Sequence, residues 1–205
     1  MKVPFRYQAT DYDCVPTTFI NALQFLFKRE EIPPIAIQKI MQYSLDTISK
    51  RGDFGSGKGG GTTGYAVQMI LYFLESYQKG RFALRCEYIV GEQVHLRQGN
   101  KIMTCINKGG IALMCVCTDK TEINTHYILA LGLDGKDSKN LLFFDPYYRV
   151  KRFAGDDSKH IEWLGNSNRQ EANLRVSRER LDSYDCRKYS MGPERIRECC
   201  LLERI

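Results

Sequence analysis

The sequence predicts an α+β fold in which helices, one of them central and buried, pack on a largely antiparallel sheet. Helical periodicity dominates up to about residue 80. Apolar strand-like runs follow from about 81 to 148, and glycine-bearing turns separate those runs.

The first predicted element lies in "YQATDYDCVPTTFINALQFLF", residues 7–27. A helix is expected over 14–28. Pro16 suits its first turn, where the missing N–H costs nothing. Phe19, Ile20, Leu23, Phe25, Leu26 and Phe27 make it apolar nearly all round, the mark of a helix covered on several sides. "EEIPPIAIQKIMQYSL" predicts a second helix after its proline pair. The glycine-dense "RGDFGSGKGGGTTG" reads as a loop and "YAVQMILYFLESY" as a third helix. Next come a strand in "RFALRCEYIV" and a short helix closed by glycine in "NKIMTCINKGG". Three further strands are expected in "IALMCVCT", "HYILALGLDG" and "NLLFFDPYY". Residues from about 150 on are more charged and less periodic, with a helix expected near "RQEANLRVSRERL". Residues 1–150 thus read as one domain and 151–205 as a C-terminal extension packed on it.

Composition excludes several classes of function. A formal charge of +6 over 205 residues, with no basic run or stacking motif, argues against a nucleic-acid partner. No apolar run is long enough for a membrane span and no secretory signal is visible, so the expectation is a cytoplasmic protein with no membrane partner. Eight cysteines without CxxC spacing, beside only three histidines, predict reduced thiols and no metal site. Cys115 and Cys117 are expected on one strand face as small core residues. "GDFGSGKG" imitates a phosphate-binding loop, but Gly59 stands where that motif needs Ser or Thr and no buried strand precedes it. A glycine loop flanking a cleft fits better.

The chemistry-bearing residue is Cys14, at the junction of a polar loop and the first helix. A thiolate is the attacking form of cysteine, and a helix N-terminus favours negative charge. That effect moves a thiol pKa by about one or two at most. A histidine-paired cysteine sits roughly five below a free thiol. An imidazole is therefore required. His95 lies in a polar connection and His160 in the charged tail, where solvated or locally bonded side chains are expected. His126 opens a strand, and pairing of 126–133 with 141–145 would bring it to the end of the sheet where Asp145 stands before Pro146. Asp145 would then orient the imidazole. Gln8, six residues before Cys14, is placed to donate toward an oxyanion together with the Cys14 backbone N–H. Taken singly, each of the four has a plain reading: solvated, packed, at a strand edge, in a turn.

The order Gln8, Cys14, His126, Asp145 resembles the papain-like cysteine peptidases, and "QATDYDC", "HYILALGLDG" and "LLFFDP" are similar to the bacteriocin-processing peptidases that cut leader peptides after two glycines. "GTTGYAVQMILYFLE" resembles the Gly-Thr-led helix between the halves of that domain. The resemblance covers residues 1 to about 150. It implies a papain-like fold and a cysteine peptidase, with Cys14 as nucleophile, His126 as base, Asp145 as orienter and Gln8 at the oxyanion hole. Gly60, Gly61, Thr62 and Asn124 would contact a peptide or protein substrate, with no cofactor. The departure is at Val15 and Pro16, where the family commonly has glycine after its cysteine. Acyl transfer or deamidation by the same thiol–imidazole pair, and a non-catalytic peptide-binding module, are the alternatives.

Overall fold

The structure is a computed structural model and describes residues 3–53, 55, 61–135, 139–166 and 169–205. Its first helix, α1, spans Cys14–Leu26. Residues Cys14 through Gln24 are all buried, as expected for a segment apolar on every side. α2 (Pro34–Tyr43) begins at the second proline of its pair, where a fixed φ and a missing N–H suit the first turn. α3 (Gly64–Ser76) is capped by the Thr63 side chain, which accepts from the Ala66 N–H.

The strands are β1 (Leu84–Val90), β2 (Ile111–Cys117), β3 (Thr125–Leu133), β4 (Asn140–Phe144), β5 (Ile161–Trp163), β6 (Leu174–Ser177) and β7 (Glu198–Arg204). Short helices α4 (Lys101–Asn107), α5 (Asp157–His160) and α6 (Arg178–Leu181) connect them. The strands form one sheet in the order β1-β7-β2-β3-β4-β6-β5, with every described pairing antiparallel. The chain is therefore a mixed α+β protein. Among the described residues no helix is long and apolar enough to cross a membrane.

The sheet is covered on both faces, and the period-2 alternation of a strand assigns each side chain to one of them. Along β2, Ile111, Leu113 and Cys115 join Phe19, Leu23, Val67 and Ile70 under α1 and α3. Ala112, Met114 and Val116 join Ile102, Ile106, Val176 and Leu181 on the other side. With apolar cover on both faces β2 reads as a continuous apolar run, and all seven of its residues are buried.

Two features of the C-terminal third differ from the sequence reading. The helix expected over 169–181 is instead β6 followed by the four-residue α6. Leu174 and Val176 turn inward at period 2 and pair with β4 and β5, while the Ser177 side chain caps the single helical turn by accepting from the Arg180 N–H. Residues 151–205, read as an extension, supply three strands. β7, the last of them, pairs with β1 on one side and β2 on the other.

Candidate active site

Cys14 is the first residue of α1, where the N–H groups of the first turn have no carbonyl partner within the helix. The loop leading to it is tied down by Asp13. The Asp13 carboxylate accepts the Ala9 N–H at 3.0 Å, the Thr10 N–H at 2.7 Å and the Thr10 hydroxyl at 2.8 Å. Partial burial pushes the Asp13 carboxyl up, but these donors outweigh that and hold it below the usual carboxylate range. One turn into α1, the Thr18 hydroxyl lies 2.7 Å from the Cys14 carbonyl and 3.1 Å from the Tyr127 carbonyl, sharing its one proton between them. That contact pins the start of the helix to the start of β3.

His126 is the second residue of β3, and Asp145 follows the last residue of β4. The β3–β4 ladder pairs Leu129 with Phe144, which leaves His126 and Asp145 at the same end of the sheet. His126 Nε2 lies 2.6 Å from Asp145 Oδ1, and the Cys14 thiol is near enough to act on the imidazole electrostatically. With Nε2 given to the carboxylate, Nδ1 is the ring nitrogen left available. All three side chains are buried, Cys14 9%, His126 8% and Asp145 3% exposed, so water screens their interactions little.

Burial by itself would push the His126 imidazole down. The Asp145 carboxylate, its hydrogen bond and the Cys14 thiol outweigh burial and hold the imidazole up at about 10. Asp145 shows the complementary effect: burial would raise it, and His126 together with donors from Tyr189 and the Tyr147 backbone holds it below the usual carboxylate range. The pair is a charge-assisted contact in a low-dielectric pocket.

Asp145 is held by residues the sequence reading did not single out. The buried Tyr189 hydroxyl donates to Oδ2, and the Tyr147 N–H donates to Oδ1 at 2.8 Å. Asn173, also buried, clamps the backbone: it accepts the Asp145 N–H at 2.7 Å and donates to the Asp145 carbonyl at 2.8 Å. Tyr189 has a φ of 60°, a left-handed conformation that a non-glycine residue takes only at a cost. No local pattern marks Tyr189 or Asn173, because each meets Asp145 only through the folded sheet.

Cys14 and His126 line a cleft of about 450 Å³. Gly61, Thr62 and Asn124 line it together with Cys117, Arg149 and Glu198. Gly60 and most of the phosphate-loop look-alike at 52–59 lie outside the described residues. Gln8 does not line the cleft. Its backbone N–H donates to the Pro146 carbonyl at 2.9 Å, and its side-chain Nε2 donates to the Thr10 carbonyl at 2.8 Å. One of its two amide protons is therefore spent within the loop. His95 bonds locally, accepting the Arg97 N–H at 3.2 Å, whereas His160 Nδ1 lies 3.1 Å from the hydroxyl of Ser177 at the end of β6. Among the described residues no group of three His, Cys, Asp or Glu side chains is arranged to hold a metal ion.

The fold and site thus define an α+β protein in which a helix-start thiol and a strand-start imidazole line one cleft, and a buried carboxylate holds the imidazole. No family model, no curated protein and no solved structure matches this chain.

Proposed function

We propose that this protein is a cysteine peptidase of papain-like architecture, hydrolysing a peptide bond through Cys14, His126 and Asp145. The single observation that carries the reading is the buried His126–Asp145 pair near the Cys14 thiol, with Cys14 and His126 both on the wall of one cleft. The order of these residues along the chain and the helix start at Cys14 add to it.

In the reaction the Cys14 sulfur attacks the scissile carbonyl carbon while its proton rests on the charged His126 ring. The oxyanion that forms is met by N–H groups at the start of α1. His126 then gives its proton to the departing amine as the C–N bond breaks, leaving a thioester on Cys14. Water attacks that thioester, passing its proton to His126, and the acid leaves as the C–S bond breaks and sulfur is paired again with the charged ring. Asp145 keeps the ring turned toward sulfur and stabilises its charged form, and Tyr189 and Asn173 keep Asp145 in place. All eight cysteines are free, which fits a reducing compartment such as the cytoplasm. The likeness to bacteriocin-processing peptidases makes a peptide or protein the substrate. Leader-peptide specificity is set apart from this proposal, because Val15 and Pro16 replace the glycine step beside the nucleophile.

The test is site-resolved alkylation. Iodoacetamide at mildly acidic pH should label Cys14 well ahead of the other seven thiols, and His126→Ala should erase that lead. Cys14 reacting at the pace of the others would end the peptidase reading. An electrophilic peptide library read by mass spectrometry then identifies the preferred sequence, and amine or water as the resolving nucleophile separates transfer from hydrolysis.

A further inference from the structure

Two polar groups in the cleft are unexplained by the chemistry above. Glu198, the first residue of β7, lines the cleft beside Gly61 and Thr62. The Tyr88 hydroxyl donates to its Oε2. Among the described residues no lysine, arginine or histidine forms an ion pair with it. Tyr127, which also lines the cleft, is 3% exposed, and its hydroxyl is buried without a hydrogen-bond partner. Burial first, and the Glu198 charge second, push that hydroxyl well above its ordinary range, so at neutral pH it is a protonated donor that also offers lone pairs.

A structural role for Glu198 at the start of α3 is the plain alternative, since its Oε2 lies 3.2 Å from where a Cβ on Gly64 would stand. That helix start is already served. Thr63 caps it, and Asp46 accepts the Thr63 N–H at 2.7 Å. A carboxylate with no cation partner beside an unsatisfied buried hydroxyl is costly unless something completes both. The group that does so carries positive charge and several donors at the tip of a slim apolar stem.

We propose that Glu198 and the Tyr127 hydroxyl form a subsite for a basic side chain of the peptide substrate, on the β7 side of Cys14. The proposal rests on the peptidase reading and adds its substrate class. The charge on the far side of the cleft supports the assignment. β7 and β4 lie on opposite sides of the β2–β3 pair, and Arg149, which follows β4, lines the cleft there. Arg149 donates to the Tyr189 hydroxyl at 3.2 Å and stacks over Phe153 at 4.2 Å, which fixes its position. The potential therefore changes sign across the reacting centre, and a peptide with a basic residue is favoured in one direction only.

The test is equilibrium binding, which needs no turnover. A peptide series in which one lysine, or norleucine in its place, is walked along an otherwise neutral sequence is titrated into the Cys14→Ala protein by calorimetry. In one register lysine should bind about ten-fold or more tighter than norleucine, the size of one charge-assisted contact. Glu198→Gln should bring that ratio near one, and Tyr127→Phe should lower it in part. No register favouring lysine, or a preference surviving in Glu198→Gln, overturns the subsite. If Glu198→Gln does not fold, Glu198→Asp, which withdraws the carboxylate by a methylene, and Tyr127→Phe must each reduce the ratio, and an unchanged ratio in both overturns it. Wild-type protein given the best-binding peptide separates the two readings. Lysine preference without cleavage sinks the peptidase and keeps the subsite, whereas cleavage without preference sinks the subsite alone.

Discussion

Replacing Tyr189 with Phe removes one hydroxyl and leaves the ring and the φ of 60° in place. That hydroxyl donates to Asp145 Oδ2, the oxygen not engaged by His126, and it accepts from Arg149 at 3.2 Å. Its loss leaves one oxygen of a 3% exposed carboxylate short of a donor. A hydrogen bond to a charged group contributes about 1.5–3 kcal/mol, so urea denaturation at pH 7 should show Tyr189→Phe less stable by roughly 2 kcal/mol. The loss has a pH signature. The folded Asp145 carboxyl is lowered, so its contribution is present above the unfolded value of about 3.9 and disappears as pH falls through the folded one. The Tyr189 donor supports the ionised form, so the gap between the two proteins should close as pH falls from the unfolded value of about 3.9 through the lower folded one. Alkylation of Cys14 should slow as well, because a looser Asp145 lets the imidazole turn away from sulfur. A gap that fails to narrow as pH falls below about 3.9 would mean that Tyr189 only fills space, and the account of how Asp145 is held would be wrong.

The opposite end of the pH range tests His126. Its folded value of about 10 stands above the unfolded value of about 6.5. The stability it contributes is therefore complete below about 6.5 and lost as pH rises through 10, with an upper bound of about 5 kcal/mol. The gap in unfolding free energy between wild type and His126→Gln should narrow over that window, and a gap that widens contradicts a charged, Asp145-paired ring. Packing beside the cleft is tested by two glycines of similar φ. An alanine Cβ at Gly192 (φ +70°) would stand 2.9 Å from both Cys117 Sγ and Ile196 Cδ1, whereas one at Gly80 (φ +62°) would meet nothing within 4 Å. Gly80→Ala should cost about 1 kcal/mol from backbone strain alone. Gly192→Ala should cost roughly 1–3 kcal/mol more. Equal midpoints in denaturant would refute the overpacking.

The parts of this protein legible in its sequence are those set by neighbours along the chain. Pro16 and the apolar surround of Phe19, Ile20 and Leu23 require a buried helix beginning at Cys14, whatever lies against it. Period-2 and continuous apolar runs mark β1 to β4, and a two-strand hairpin carries His126 and Asp145 to one sheet end because strand register follows from that pattern. What only the tertiary structure decided is which distant segments meet. "ECCLLER" is a short run with no alternation. It became β7 because Cys199 and Leu201 face one apolar layer while Cys200 and Leu202 face the other. Nothing local in that run chooses β1 and β2 as its partners. Its placement brings Glu198 to the cleft, and the segment before it brings Tyr189 across to Asp145, a contact spanning 44 positions. Local periodicity encodes which face of an element is apolar. Pairing over long loops depends on the summed burial of the whole sheet, so the residues that position the carboxylate and line its far wall emerge only once the sheet has closed.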